Sequence, residues 1–199
     1  RDVMEAIESK AVKAGIEIIP LHAQLEIEDQ QRAFGNYPGG KIILSTNIAQ
    51  TSVTIDDIDL VIDSGLERRS EVRNGVEGLF MAQISQADCL QRAGRAGRTR
   101  PGEYILAAYD KMECLPIEER AEYPTPEIMR KHLDRLVLRL ASIGIDIEML
   151  DFYHSPSRAS MKRAKRTLRA LGALNNSGEI TNLGREMEKF PVSSKYARM

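Results

Sequence analysis

The chain has 199 residues, 42% of them hydrophobic, and a formal net charge of −1, which is enough to bury a core in one large or two small domains. A charge so near zero excludes a global positive field, so any contact with nucleic acid has to come from local patches. Two cysteines (Cys89, Cys114) and three histidines (His22, His132, His154) stand in no ligand-like spacing. This argues for reduced thiols in a cytoplasmic protein and against a zinc site. No apolar run approaches the ~18 residues of a membrane span, and no secretory pattern opens the chain. Arg1-Asp2-Val3-Met4-Glu5 lacks an initiating methionine and reads as an internal start within a longer protein.

In chain order, Val3, Ile7 and Ala11 predict an amphipathic helix over residues 1–14, closed at Gly15. Ile16 to Leu21 is a short apolar strand, Glu26 to Phe34 a second short helix ending at Gly35, and Lys41-Ile42-Ile43-Leu44 a buried strand. Asp59 to Asp63 is another continuous apolar strand. Strands without polar alternation, separated by helical stretches, predict an α/β fold with a parallel sheet covered by helices on both faces. Asn74-Gly75 supplies the positive φ angles of a type I′ turn, which predicts a β-hairpin over about 66–84. Gln86 to Ala93 is expected to be helical, and Gly102 to Tyr109 a last strand.

From about residue 115 the composition shifts. Pro116, Pro124 and Pro126 make a linker, and Thr125-Pro126 resembles a helix cap with a first-turn proline. Met129, Leu133, Leu136 and Leu140 predict a helix running to Gly144. Met161, Ala164, Leu168 and Leu171 predict another, ending at Gly172. Gly178 to Leu183 reads as a short strand or wing, so the second domain is expected to be a small winged helix. Six basic residues and no acid lie between Phe152 and Gly178: Arg158, Lys162, Arg163, Lys165, Arg166 and Arg169. They fit an RNA-facing surface, or, as the favoured reading, a solvated helix face or a contact with a further lobe.

Two segments carry the chemistry. Ser45 to Ile55 starts where a buried strand ends, the usual place for ligand contacts in an open parallel sheet. Its Ser45, Thr46, Asn47, Thr51, Ser52 and Thr54 suit contact with sugar-phosphate without base reading. Gln91-Arg92-Ala93-Gly94-Arg95-Ala96-Gly97-Arg98 sets three arginines at three-residue spacing. On a helix, such positions share a face and can converge on one anion, and a guanidinium matches phosphate oxygens better than an ammonium does. No glycine-lysine phosphate loop accompanies them.

Together these segments resemble motifs V and VI in the second RecA-like lobe of DEAH-box helicases, superfamily 2 enzymes that couple ATP hydrolysis to movement along RNA. The Asn74-Gly75 hairpin lies where that family has its strand-separating hairpin. Ile84-Ser85-Gln86-Ala87 and Asp63-Ser64-Gly65-Leu66-Glu67-Arg68 lean toward the bacterial members. The resemblance implies a RecA-like lobe over 1–114, a winged helix over 115–183, and the start of a ratchet domain over 184–199.

It also implies that Gln91, Arg95 and Arg98 face the γ-phosphate of ATP, with Ser52 in the network of the hydrolytic water. Asp56 matches a ribose-binding acid. Phe34 matches an aromatic that stacks on adenine, or is a core residue. Thr46 and Asn47 would touch single-stranded RNA during 3′–5′ translocation. Mg²⁺ ligands would come mainly from a first RecA-like lobe of the same protein, here expected to be a monomer. Gln50 departs from the family pattern, which usually has glutamate there. A nucleic-acid-binding module without catalysis, and a DNA translocase, are the competing expectations.

Overall fold

The computed structural model describes residues 2–107 and 114–199. It divides into two units, one of residues 1–67 and 81–124 and the other of 68–80 and 125–199. Arg1 of the first expected helix, and Ala108 and Tyr109 of the last expected strand, lie outside the described residues.

In the first unit, α1 (Asp2–Lys13) buries Ala11 and ends as Gly15 takes φ +69°. Next, β1 (Glu17–Leu21) leads to α2 (Ile27–Gln31) and a 3₁₀ turn at Arg32–Phe34. β2 (Lys41–Ser45) then lies parallel to β1, in a register running from Glu17 opposite Lys41 to Leu21 opposite Ser45. α3 (Ile48–Thr51) follows directly. A core of Ile19, Leu21, Ala33 and Ile55, with Ile43, Ile48, Ala49 and Val53 against it, fastens these pieces together. β3 (Leu60–Asp63) precedes a hairpin of β4 (Leu66–Arg73) and β5 (Val76–Gln83), whose residues 68–80 belong to the second unit. Asn74 (φ +50°) and Gly75 (φ +79°) both take positive φ at its turn, as a type I′ geometry requires. α4 (Gln86–Ala93) and β6 (Glu103–Leu106) complete the unit, β6 running parallel to β3. The parallel strands with intervening helices are the α/β arrangement expected from the apolar runs. Within β3, however, the buried side chain is Asp63, at 5% exposure, while Ile62 is 67% exposed.

In the second unit, the helix expected from Met129 to Gly144 is split. α5 (Glu127–Arg130) stops where Lys131 turns extended (φ −108°, ψ 165°), and α6 (Asp134–Ser142) starts afresh. Thr125 does not cap α5: Pro126 occupies the N-cap, and the Thr125 carbonyl accepts from Arg130 Nε at 3.1 Å. α7 (Arg158–Ala170) is capped by the Ser157 hydroxyl, which accepts from Ser160 N–H at 3.1 Å. The expected wing strand reduces to one antiparallel bridge, Leu174 to Ile180. The chain then turns helical, because Thr181 Oγ1 accepts from Gly184 N–H at 3.0 Å and caps α8 (Asn182–Glu188). α9 (Ser194–Ala197) ends the unit. Leu133, Val137, Leu138, Ile147, Ala164, Leu168, Ala173, Leu174 and Met187 form one core, so α8 packs with α6 and α7.

Of the basic residues on α7, Lys165 is committed to Asp146 (2.7 Å) and Glu148 (3.0 Å), while Arg158, Lys162, Arg163, Arg166 and Arg169 are exposed. Burial draws the Lys165 ammonium down, but the two carboxylates more than offset this and raise it overall. The Lys165 hydrogen bond, helped by Glu148 N–H, holds Asp146 below the usual carboxylate range. Among the described residues no helix is long and apolar enough to cross a membrane.

Three outcomes are expected. Leu168 is fully buried, so Leu168→Ala should cost about 2–5 kcal/mol in urea unfolding. Met149→Ala, at an 82% exposed position, should stay within about 0.5 kcal/mol. The lowered Asp146 contributes stability that is present above the ordinary aspartate range, about pH 3.9, and is lost as pH falls further. Asp146→Asn should therefore show a shallower loss of the urea midpoint on acidification than the parent chain.

Candidate functional site

The hydroxyl-rich segment is anchored by its apolar members. Ile48, Ala49, Val53 and Ile55 point into the core of the first unit, which turns Thr46, Asn47, Thr51, Ser52 and Thr54 to the surface. Ser45 Oγ reaches back to the Leu21 carbonyl at 3.2 Å and holds the end of β2. Asn47 sits at the start of α3 without a capping side-chain bond, and Ser52 stands at its end, 3.4 Å from Thr51 Oγ1.

α4 begins with a reciprocal cap. Ser85 Oγ accepts from Asp88 N–H at 3.1 Å, and Asp88 Oδ2 accepts from Ser85 N–H at 3.2 Å and from its hydroxyl at 2.7 Å. The other Asp88 oxygen accepts from Gln50 Nε2 at 2.7 Å. Gln50 Nε2 also donates to Gln91 Oε1 at 2.9 Å, and Gln50 Oε1 accepts from Arg92 Nε at 2.9 Å. One carboxamide thus ties the hydroxyl-rich segment to the arginine-rich one.

Arg92 continues inward. Its Nη1 donates to Asp63 Oδ1 at 2.7 Å and to the Leu66 carbonyl at 3.3 Å. Asp63 also accepts from Tyr104 Oη at 2.8 Å and Gly65 N–H at 2.9 Å. Burial, then the bond to Asp63, pushes the Tyr104 phenol well above its ordinary range, and burial also raises the Cys89 thiol. Both groups are therefore neutral near pH 7 and serve the packing.

The arginines do not share a helical face as the three-residue spacing predicts. α4 ends at Ala93, with Gly94 as its C-cap, and the following turns carry Arg95 and Arg98 off the helix. Gly97 adopts φ +74°, and a Cβ on Gly102 would lie 2.3 Å from Gly97 N, so this bend requires small residues. Arg92 is consumed by Asp63 and Gln50. Arg95 is half-buried, with Nη1 on the Val53 carbonyl at 3.2 Å, while its Nε is buried without a partner among the described residues. Arg98 is exposed and has no partner among the described residues. Arg100 is held by Asp59, 2.7 Å from Nη2 to Oδ2. Gln91 and Asp56 are exposed, and the Asp56 carbonyl accepts from Thr99 Oγ1 at 2.7 Å. Phe34 is 53% exposed at the end of its 3₁₀ turn, which removes the alternative of a core phenylalanine.

The structure therefore gathers Gln91 and Arg95 around the Ser45–Ile55 segment. Among the described residues, the side chains of Phe34 and Asp56 take no part in this network. Sequence reasoning missed Asp63, Asp88 and Tyr104. Ser85 and Asp88, three apart ahead of a helix, carried the signal of a capping box, and an aspartate ending an apolar strand needs a cationic partner.

The distinction between structural and available arginines is measurable. Arg92→Ala strands the Asp63 carboxylate, 4% exposed, and should cost about 3–5 kcal/mol of stability. Arg98→Ala should leave the urea midpoint essentially unchanged.

Comparison with known proteins bears on the family and the fold. The family described as helicase conserved C-terminal domain matches residues 1–100, and that described as helicase associated domain (HA2), winged-helix, matches residues 166–192. The chain is 39% identical over 191 residues to the pre-mRNA-splicing factor ATP-dependent RNA helicase prp22 of Schizosaccharomyces pombe, covering 92% of this chain and 16% of that protein. Two solved Escherichia coli structures, described as the DExH-box NTPase HrpB and the DEAH/RHA helicase HrpB, superpose at TM-score 0.83 with 29% and 30% identity. Each alignment covers the whole of this chain, and 25% and 26% of those chains. The chain belongs to the helicase conserved C-terminal domain family, in its DEAH/RHA form, joined to a helicase-associated winged helix.

Proposed function

We propose that this chain is the second motor lobe of an ATP-dependent RNA helicase, and that Gln91, Arg95 and Arg98 act on the γ-phosphate. The observation that carries the reading is the Gln50 carboxamide. It joins Gln91 to the loop whose Thr46 and Asn47 face solvent, so one hydrogen-bonded network links the segment suited to sugar-phosphate with the segment suited to phosphate. The residues also fit a polyanion. A buried donor without an acceptor costs about 1–3 kcal/mol, and Arg95 Nε is such a donor. Arg98 offers an uncommitted guanidinium, whose fork matches phosphate oxygens.

In this proposal ATP, when bound, supplies the phosphoryl group that passes to water. Arg95 and Arg98 place positive charge where negative charge develops. Gln91 orients groups at the γ-phosphate, and Ser52, exposed at the end of α3, hydrogen-bonds the hydrolytic water. Phe34 offers its half-exposed ring to adenine and Asp56 its carboxylate to ribose. Thr46 and Asn47 bind the sugar-phosphate of single-stranded RNA, with translocation in the 3′–5′ sense. Mg²⁺ is held mainly by a first RecA-like lobe of the same protein. The lobe spans 1–114, and the winged helix opens at 115.

RNA-stimulated ATPase of a full-length protein carrying this chain tests the reading. Arg95→Ala and Arg98→Ala should each lower kcat by about 10³–10⁵, the range known for arginine fingers, while RNA binding persists. Single-stranded DNA is the parallel stimulant, and equal stimulation by it would favour a general translocase. Turnover indifferent to both arginines would make the chain a binding module. The isolated 199-residue chain should hydrolyse ATP negligibly.

A further inference from the structure

The orientation of a side-chain carboxamide is set by its partners, because its two ends have nearly the same shape. Around Gln50 the partners allow a single assignment. Asp88 can only accept, and its oxygens already serve Ser85 N–H, the Ser85 hydroxyl and Gln50. Arg92 Nε can only donate. The Gln50 nitrogen must therefore face Asp88 at 2.7 Å, and its oxygen Arg92 at 2.9 Å. The remaining Gln50 N–H points to Gln91 at 2.9 Å, where only Oε1 can receive it.

We propose that Gln50 is a positioning residue that fixes the Gln91 carboxamide with its oxygen held inward and its two N–H donors turned outward. The proposal rests on the reading that Gln91 belongs to the nucleotide site. Gln91 is exposed, so the outward end is the one a ligand meets. Two N–H donors attract phosphate oxygens, whereas an outward carbonyl would repel them. Arg92 makes the arrangement rigid, since it is itself fixed by the buried Asp63. Asp88 does the same from the other side, through its cap on α4. Glutamate at position 50 would keep the bond to Arg92 but has no donor. Its carboxylate would invite the Gln91 NH₂ group, turn the Gln91 oxygen outward, and stand against Asp88. Methionine would keep the volume and release Gln91 to sample both orientations.

The test is a double-mutant cycle on RNA-stimulated ATPase in the full-length protein, with Gln50→Met, Gln91→Met, their combination, and Gln50→Glu. Gln50→Met should lower kcat about 3- to 10-fold, the worth of one neutral hydrogen bond, with KM for ATP nearly unchanged. Gln50→Glu should lose at least as much. In the Gln91→Met background, Gln50→Met should cost nothing further, because the group it positions is gone. Damage to the fold would lower kcat in that background too, so losses that multiply overturn the proposal, as does an unchanged kcat in Gln50→Met and Gln50→Glu. A parent protein whose ATPase does not respond to RNA sinks the underlying helicase reading as well. An active parent with an indifferent Gln50 sinks this inference alone.

Discussion

The ion pair between Arg92 and Asp63 is the contact on which the arrangement of the first unit depends. A carboxylate that is 4% exposed loses most of its hydration and is tolerable only where hydrogen bonds replace that water. Asp63 receives three, from Arg92, Tyr104 and Gly65. They fasten the last turn of α4 to the end of β3, and β3 in turn to β6. Because Arg92 is committed to this role, the arginines of the segment differ in their surroundings: Arg92 is spent on the fold, Arg95 holds the Val53 carbonyl, and Arg98 is exposed.

The second consequence runs outward from Arg92 to Gln50. An aspartate at 88, a glutamine at 50 and an arginine at 92 form a chain of alternating acceptors and donors, in which every orientation is forced by its neighbours. Glutamine instead of the usual glutamate at position 50 does not empty the site of negative charge, because Asp88 places a carboxylate 2.7 Å away. A second carboxylate there would face the first.

The second unit is organised differently, around apolar packing with polar caps at its helix starts. Ser157 and Thr181 supply the caps, and Leu168 and Met187 lie at the centre of the core. The basic run on α7 is mostly exposed, as both an RNA-facing surface and a solvated face would be, but Lys165 leaves that face to bind Asp146 and Glu148 on the segment before the helix. Charge counts along a helix thus overstate what remains available to a partner.

Several local patterns are legible in the sequence. The apolar runs of β1, β2 and β3, the Asn74-Gly75 turn and the extent of α4 all follow from residues close in sequence. So do the two strings that carry the family resemblance. Spacing alone failed where the backbone departs from a helix. Gly94 and Gly97 bend the chain after α4, and an extended Lys131 splits α5 from α6. Only the tertiary structure could tell the surroundings of Arg92, Arg95 and Arg98 apart, since chemically identical side chains differ only in what stands beside them. Arg92 finds Asp63 and Gln50 across 29 and 42 residues of sequence. The sequence by itself determined which chemistry is present and on which elements; folding decided which groups are consumed in holding it together and which remain exposed to act.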